Sequence, residues 1–151
     1  MKDLRPTSNL VKQALFNILY DVSDTSFCDL FAGTGEIGIT ALKKGANSVI
    51  FVEKNKKRAS DIKKKVSKLS KNYKVLSTDV IKFLKNYKGE PFDIIFADPP
   101  YDYKQYNQLI DLALKNLKDG GFFILEHRAG KSFGAEEERK YGDTVLSFWR
   151  K

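Results

Sequence analysis

Asp98-Pro99-Pro100-Tyr101 is the part of this chain best equipped to do chemistry. It follows an apolar run, Asp93-Ile94-Ile95-Phe96-Ala97, that reads as a buried parallel strand. Neither proline has an N–H to donate, so the strand ladder stops there. A carboxylate, two free carbonyls and an aromatic ring thereby gather at the carboxyl end of a strand, where open α/β sheets place their ligands. A planar amine needs such a set: acceptors for its N–H bonds and a ring to stack on. The other reading is a proline-stiffened turn with a buried Tyr.

A second constellation lies upstream, in Asp29-Leu30-Phe31-Ala32-Gly33-Thr34-Gly35-Glu36-Ile37-Gly38. Gly33, Gly35 and Gly38 match G-x-G-x-x-G between a strand and a helix. Glycines there let the backbone approach a ligand and take positive φ. The next strand ends in Glu53, whose carboxylate can accept both hydroxyls of a ribose. An ordinary acid at a helix start is the other reading of Glu53. Asp79 ends a third strand segment and can accept an adenine amine, cap the following helix, or do both. Together these residues predict an adenosine-type cofactor. A pyrophosphate would meet two carboxylates around the loop, Asp29 and Glu36, which suit a cation better. The sulfonium and α-amino group of S-adenosylmethionine fit that charge. The length is also short for a dehydrogenase with a separate substrate domain.

The elements that must position these groups follow from hydrophobic periodicity. Leu10, Val11, Ala14, Leu15, Ile18 and Leu19 form one apolar stripe, predicting a helix over about 7–20. Strands are predicted at 26–30, 48–52, 73–76, 92–97 and 122–125. Helices are predicted at 36–44, 54–70, 80–87 and 103–117. Ala59, Ile62, Val66 and Leu69 face inward in the second of these helices, and Asp119-Gly120-Gly121 reads as a turn. A closing antiparallel pair, 137–141 and 144–149, surrounds Gly142-Asp143. The order predicts a Rossmann-like, seven-stranded, mostly parallel α/β sheet with a C-terminal antiparallel hairpin and helices on both faces. With 151 residues, one domain is expected, its first helix packed on the cofactor side.

Composition narrows the partners. A formal charge of +8 favours a polyanion. One cysteine, Cys28, and one histidine, His127, leave no Cys- or His-based metal site. Cys28 reads as core. No stretch has membrane-spanning length, and Met1 to Arg5 lacks a signal-peptide core, so a cytoplasmic protein is expected. The Lys-rich run at Lys54, Lys56, Lys57, Arg58, Lys63, Lys64 and Lys65 reads as a solvated helix face.

Phe31-x-Gly33-x-Gly35, Glu53, Asp79 and Asp98-Pro99-Pro100-Tyr101 resemble the ordered motifs of amino-methylating S-adenosylmethionine-dependent methyltransferases. Arg5-Pro6-Thr7 with Ala14 to Leu19, Asp29 to Gly35, the Asp-Pro-Pro-Tyr turn and Tyr141-Gly142-Asp143-Thr144 are similar to the bacterial family that methylates N2 of guanine 966 in 16S ribosomal RNA. The resemblance implies cofactor contacts at Thr7, Asp29, Phe31, Ala32, Gly33, Thr34, Gly35, Glu53, Lys54, Asp79, Val80 and Asp98. It implies catalysis at Asp98, Pro99, Pro100 and Tyr101, without a metal. RNA contacts are expected at Arg5, Tyr101, Tyr103, Lys104, His127 and Arg128. The partner implied is ribosomal RNA within a small-subunit assembly intermediate. Adenine N6 remains an alternative target, since the tetrapeptide is shared with adenine-N6 enzymes. A dinucleotide-dependent oxidoreductase rests on the glycine spacing alone, and a nucleic-acid-binding protein without turnover is the third alternative. The chain departs from the family at Asn9, Leu10 and Gln13, where charged residues are usual. Only four residues precede Arg5, where the family carries a basic, glycine-rich hairpin.

Overall fold

The computed structural model describes residues 8–69 and 72–151. Five helices and seven strands alternate along them: α1 (Asn9–Leu19), β1 (Ser26–Leu30), α2 (Glu36–Lys43), β2 (Ser48–Val52), α3 (Lys56–Val66), β3 (Tyr73–Leu76), α4 (Val80–Asn86), β4 (Phe92–Ala97), α5 (Tyr106–Lys115), β5 (Leu117–Arg128), β6 (Glu137–Tyr141) and β7 (Thr144–Arg150). The sheet order is β3-β2-β1-β4-β5-β7-β6. The first five strands in that order pair parallel, and β7 runs antiparallel to both β5 and β6. This is the Rossmann-like, mostly parallel sheet with a C-terminal antiparallel hairpin expected from the alternation of elements. The order reverses between β1 and β4, which opens a crevice at their carboxyl ends.

Side chains alternate across the strands and build two cores. Phe27, Val49, Phe51, Ile94 and Phe96 meet α1, α2 and α3 on one face. Cys28, Leu30, Val52, Ile95 and Leu125 meet α4 and α5 on the other. Cys28 is fully enclosed, and burial pushes its thiol well above the ordinary value, so it is an inert core residue. Gly38 sets the spacing of α2 on β2: a Cβ built there would lie 2.3 Å from the Phe51 ring. The third glycine of the loop is therefore a packing requirement. Asp93 pins the opposite end of the sheet, accepting the Ser26 backbone N–H at 2.8 Å and pairing with Lys118 at 3.4 Å.

Several expectations need correction. The first helix starts at Asn9 because Ser8 caps it, its hydroxyl accepting the Val11 N–H. Leu10 is 63% exposed, and Phe16 takes a place in the core instead. Asn55 caps α3 through the Arg58 N–H, so that helix is shorter than 54–70, and Leu69 beyond it is exposed. Helix α5 occupies Tyr106–Lys115 rather than 103–117. Strand β5 begins at Leu117, not Phe122. Asp119-Gly120-Gly121 lies within it, at a register irregularity against Phe92 and Ile94. Gly120 takes φ +83°, and its N–H pairs with the Lys151 carbonyl. Among the described residues no helix is long and apolar enough to cross a membrane, and no cluster of His, Cys, Asp or Glu could hold a metal.

Gly38→Ala should lower stability by about 1–3 kcal/mol, the usual range for overpacking a filled core. Urea unfolding measures it, and a cycle with Phe51→Leu should be non-additive because the two sites touch. Additive losses would show that the close approach is not what Gly38 provides.

Candidate active site

The carboxyl ends of β3, β2, β1 and β4 lie side by side, and each delivers one group to the crevice. Leu30 pairs with both Val52 and Ala97, and Val52 pairs with Leu76. Glu53, Asp79, the loop after Leu30, and Asp98 therefore share one edge of the sheet.

The loop from Phe31 to Gly35 is built from positive-φ residues: Phe31 at 57°, Gly33 at 61° and Gly35 at 80°. Left-handed backbone turns its N–H groups sharply away from β1 and into α2. Phe31 is the costly one, since a bulky side chain rarely takes that conformation. Its ring is held edge-on by Tyr103 at 5.2 Å. Glu53 holds the loop from the neighbouring strand. It is 6% exposed, accepting the Gly33 N–H through Oε1 and the Asn55 N–H through Oε2, both at 2.8 Å. Asp29 is 1% exposed and accepts the Gly38 N–H at 3.0 Å, supporting the start of α2 from beneath. Glu36 pairs with Lys12 of α1 at 2.8 Å, which ties the first helix to this loop. Lys65 of α3 donates to the Thr34 carbonyl at 3.0 Å, so this lysine does more than solvate its helix. Lys54 is exposed, and its carbonyl accepts the Ser77 hydroxyl.

Asp79 caps α4 by accepting the Lys82 N–H at 3.0 Å and stays partly exposed. Val80 behind it is a core residue of α4. Across from Asp79 lies Tyr103, whose hydroxyl is buried with no hydrogen-bond partner among the described residues. Burial first, and then the Asp79 charge, push that hydroxyl up to about 12. A buried polar atom without a partner is costly, and a polar ligand edge between Phe31, Asp79 and Tyr103 would satisfy it. The residues present thus fit an adenosine-type cofactor: a carboxylate for ribose, another for an amine, and an aromatic wall.

The Asp98 N–H donates to the Leu30 carbonyl at 3.5 Å, bringing this turn against the first loop. Its carboxylate is near enough to Tyr106 to raise that phenol, after burial as the larger cause. The Pro100 carbonyl accepts the Tyr103 N–H at 2.9 Å, while the Pro99 carbonyl has no partner among the described residues. Pro99 itself is buried. Tyr101 is 68% exposed, against the reading of a proline turn with a buried Tyr. The Arg128 guanidinium lies over its ring, 5.3 Å from the centroid. Lys104 is exposed close by.

His127 departs from its expected RNA contact. It is 7% exposed, its Nε2 lies 2.6 Å from the Ser147 hydroxyl, and its Nδ1 lies 2.9 Å from the Arg128 carbonyl. Its ring props Phe133 edge-on at 4.9 Å. Nothing in the sequence distinguished an inward from an outward position for it. Phe133 is the residue that sequence reasoning missed, since it sits in a stretch without periodicity. Thr7 and Arg5 lie outside the described residues.

The chain is similar to known proteins along most of its length. A family model described as conserved hypothetical protein 95 matches residues 1–150. The chain is 36% identical over 135 residues to ribosomal RNA small subunit methyltransferase D of Haemophilus influenzae, covering 85% of this chain and 70% of that protein. It is 33% identical over 125 residues to the protein of the same name from Escherichia coli, covering 82% and 61%. Among solved structures, a hypothetical protein of Thermus thermophilus superposes with a TM-score of 0.85 at 27% identity, covering 97% of this chain and 88% of that one.

Two measurements probe the site. Glu53→Ala should weaken S-adenosylhomocysteine in calorimetric titration by about 1.5–3 kcal/mol, the range for hydrogen bonds to a charged group. Glu53→Gln keeps an acceptor for the Gly33 N–H and should lose less; unchanged affinity in a folded Ala variant would remove Glu53 from the cofactor site. Tyr103 sets a pH dependence. The fold favours its neutral phenol, so stability is present below the unfolded value near 10 and is lost as pH rises toward about 12. Tyr103→Phe should abolish the last step of an ultraviolet tyrosinate titration; a last step that persists would assign it to another tyrosine.

Proposed function

Because this chain belongs to the conserved hypothetical protein 95 family of S-adenosylmethionine-dependent methyltransferases, we propose that it methylates the exocyclic N2 amine of a guanine in 16S ribosomal RNA, within a small-subunit assembly intermediate. The observation that carries this reading is the turn at Asp98, with an exposed Tyr101 ring beside a carboxylate at the sheet's reversal point. The names of the curated relatives supply the ribosomal RNA class.

S-adenosylmethionine, when bound, supplies an electrophilic methyl on a sulfonium. The chain's own residues must make a poor nucleophile competent, because the lone pair of a guanine amine is delocalised into the ring. Asp98 and the Pro99 carbonyl accept its two N–H bonds and favour the pyramidal nitrogen that attacks. Tyr101 stacks on the base and fixes its plane. The base reaches this turn only after leaving its own stack. The nitrogen turns acidic once it carries the fourth substituent, and in this reading Asp98 takes the surplus proton. Most of the acceleration is positioning and charge placement, with no covalent step on the protein. Glu53 and the loop at Gly33 hold the adenosyl part, and Asp79 with Tyr103 borders its base.

Asp98→Ala should cut turnover on unmethylated small-subunit particles by at least ~100-fold, comparable to removing one positioned polar group. S-adenosylhomocysteine affinity should largely persist. Nucleoside mass spectrometry of the product distinguishes N2-methylguanine from N6-methyladenine, and the second would replace the target base in this reading. Near-normal turnover of Asp98→Ala would reduce the turn to a structural element.

A further inference from the structure

Beside the catalytic turn lies a cleft of about 800 Å³ between the loop that follows β4 and the loop that joins β5 to β6. We propose that this cleft binds the nucleotide adjacent to the target base on the same RNA strand, and that Phe133 and Lys131 hold it there, the one by stacking and the other through its phosphate. The inference rests on the methyl-transfer reading above and adds a second subsite to it.

One wall carries Tyr101, Lys104, Gln105 and Asn107, and the facing wall carries Lys131 and Phe133. Single-stranded RNA is gripped by such a set: rings for stacking, cations for phosphate, and amides for base edges. Each wall contributes one ammonium. Asp102 is the one carboxylate among the described lining residues, so the balance favours a phosphate-bearing occupant. The size falls within the 300–1,000 Å³ range typical of small-ligand sites.

The stacking surface is fixed before RNA arrives. Phe133 lies against Tyr106 at 4.6 Å with planes 29° apart, and His127 meets it edge-on. Tyr106 in turn packs edge-on against Tyr103 at 5.4 Å. A ring held from two sides costs little further ordering when a base stacks on it. The cleft begins at Tyr101, the ring assigned to the target base. A strand whose target base has swung onto Tyr101 therefore carries its neighbour to the mouth of this cleft. The buried imidazole explains itself here, since His127 supports the ring that meets the RNA.

The test measures KM and kcat for methyl transfer to small-subunit particles reconstituted with 16S RNA, either intact or with an abasic nucleotide on one side or the other of the methylated guanine. Phe133→Ala should raise KM by roughly 5- to 150-fold, the range seen when a base-stacking aromatic is removed, with S-adenosylhomocysteine affinity unchanged. Phe133→Trp should restore most of it. Lys131→Glu, on an exposed loop position, should also raise KM. The abasic site on one side should impose the same loss on the wild-type protein, and the loss should not grow when it is combined with Phe133→Ala. Additive losses, or an unchanged KM in both variants, would overturn the subsite. So would an equal rise in a Lys63→Glu, Lys64→Glu control on α3, because net charge alone would then be responsible. A wild-type protein that transfers no methyl to any particle would overturn the methyl-transfer reading, and this subsite with it.

Discussion

The Glu53 carboxylate is the interaction on which the rest of the crevice depends. It ends β2, is nearly enclosed, and spends one oxygen on the loop after β1 and the other on the start of α3. A buried carboxylate survives only when its lone pairs are met. Here two backbone N–H groups meet half of its four acceptor sites. The proposed function gives the remaining two to a ribose diol. The same side chain thus fixes the shape of the loop and offers what is left over to a ligand. The left-handed backbone at Phe31, Gly33 and Gly35 is tolerable because this acceptor and the Tyr103 ring hold it in place.

A chain of rings carries the same order sideways. Phe31 touches Tyr103, Tyr103 touches Tyr106, and Tyr106 stacks on Phe133. It runs from the glycine loop, under the Asp98 turn, to the far wall of the cleft. Edge-to-face and offset contacts of this kind add to simple area burial. The loop joining β5 to β6 has no secondary structure of its own, and Phe133 and Ala135 pack it against the core on the α4 and α5 face.

Much of this architecture was legible in the residues. The β-branched run at 48–52 and the apolar run at 92–97 gave strands with the observed limits, because a strand buried on both faces leaves a nearly continuous apolar signature. The glycine spacing and the paired prolines were legible because backbone constraints write themselves into residue type. What the sequence hid was context. Gly120-Gly121 looked like a turn, yet a Cβ at Gly121 would lie 2.8 Å from the Asp93 carbonyl, so a close strand approach explains the residue equally well. Leu10 and Leu69 fit apolar stripes whose flanks had no partner to cover them. His127 follows Phe123 and Leu125 at alternate positions of β5 but stands between Glu126 and Arg128, and the Ser147 hydroxyl on β7 meets it inside.

The two margins of the sheet bear on how the molecule behaves in company. At one margin is β3, only four residues long, and at the other is β6, whose Glu137, Glu138, Arg139 and Lys140 all face solvent. A bare strand margin is a template on which another chain can add itself. One margin here is too short to template a long ladder. The other presents a dense run of charge, two acids and then two bases, that a second copy would have to desolvate before pairing. Any protein meets other extended chains in its surroundings, and this sheet is finished at both ends against joining them.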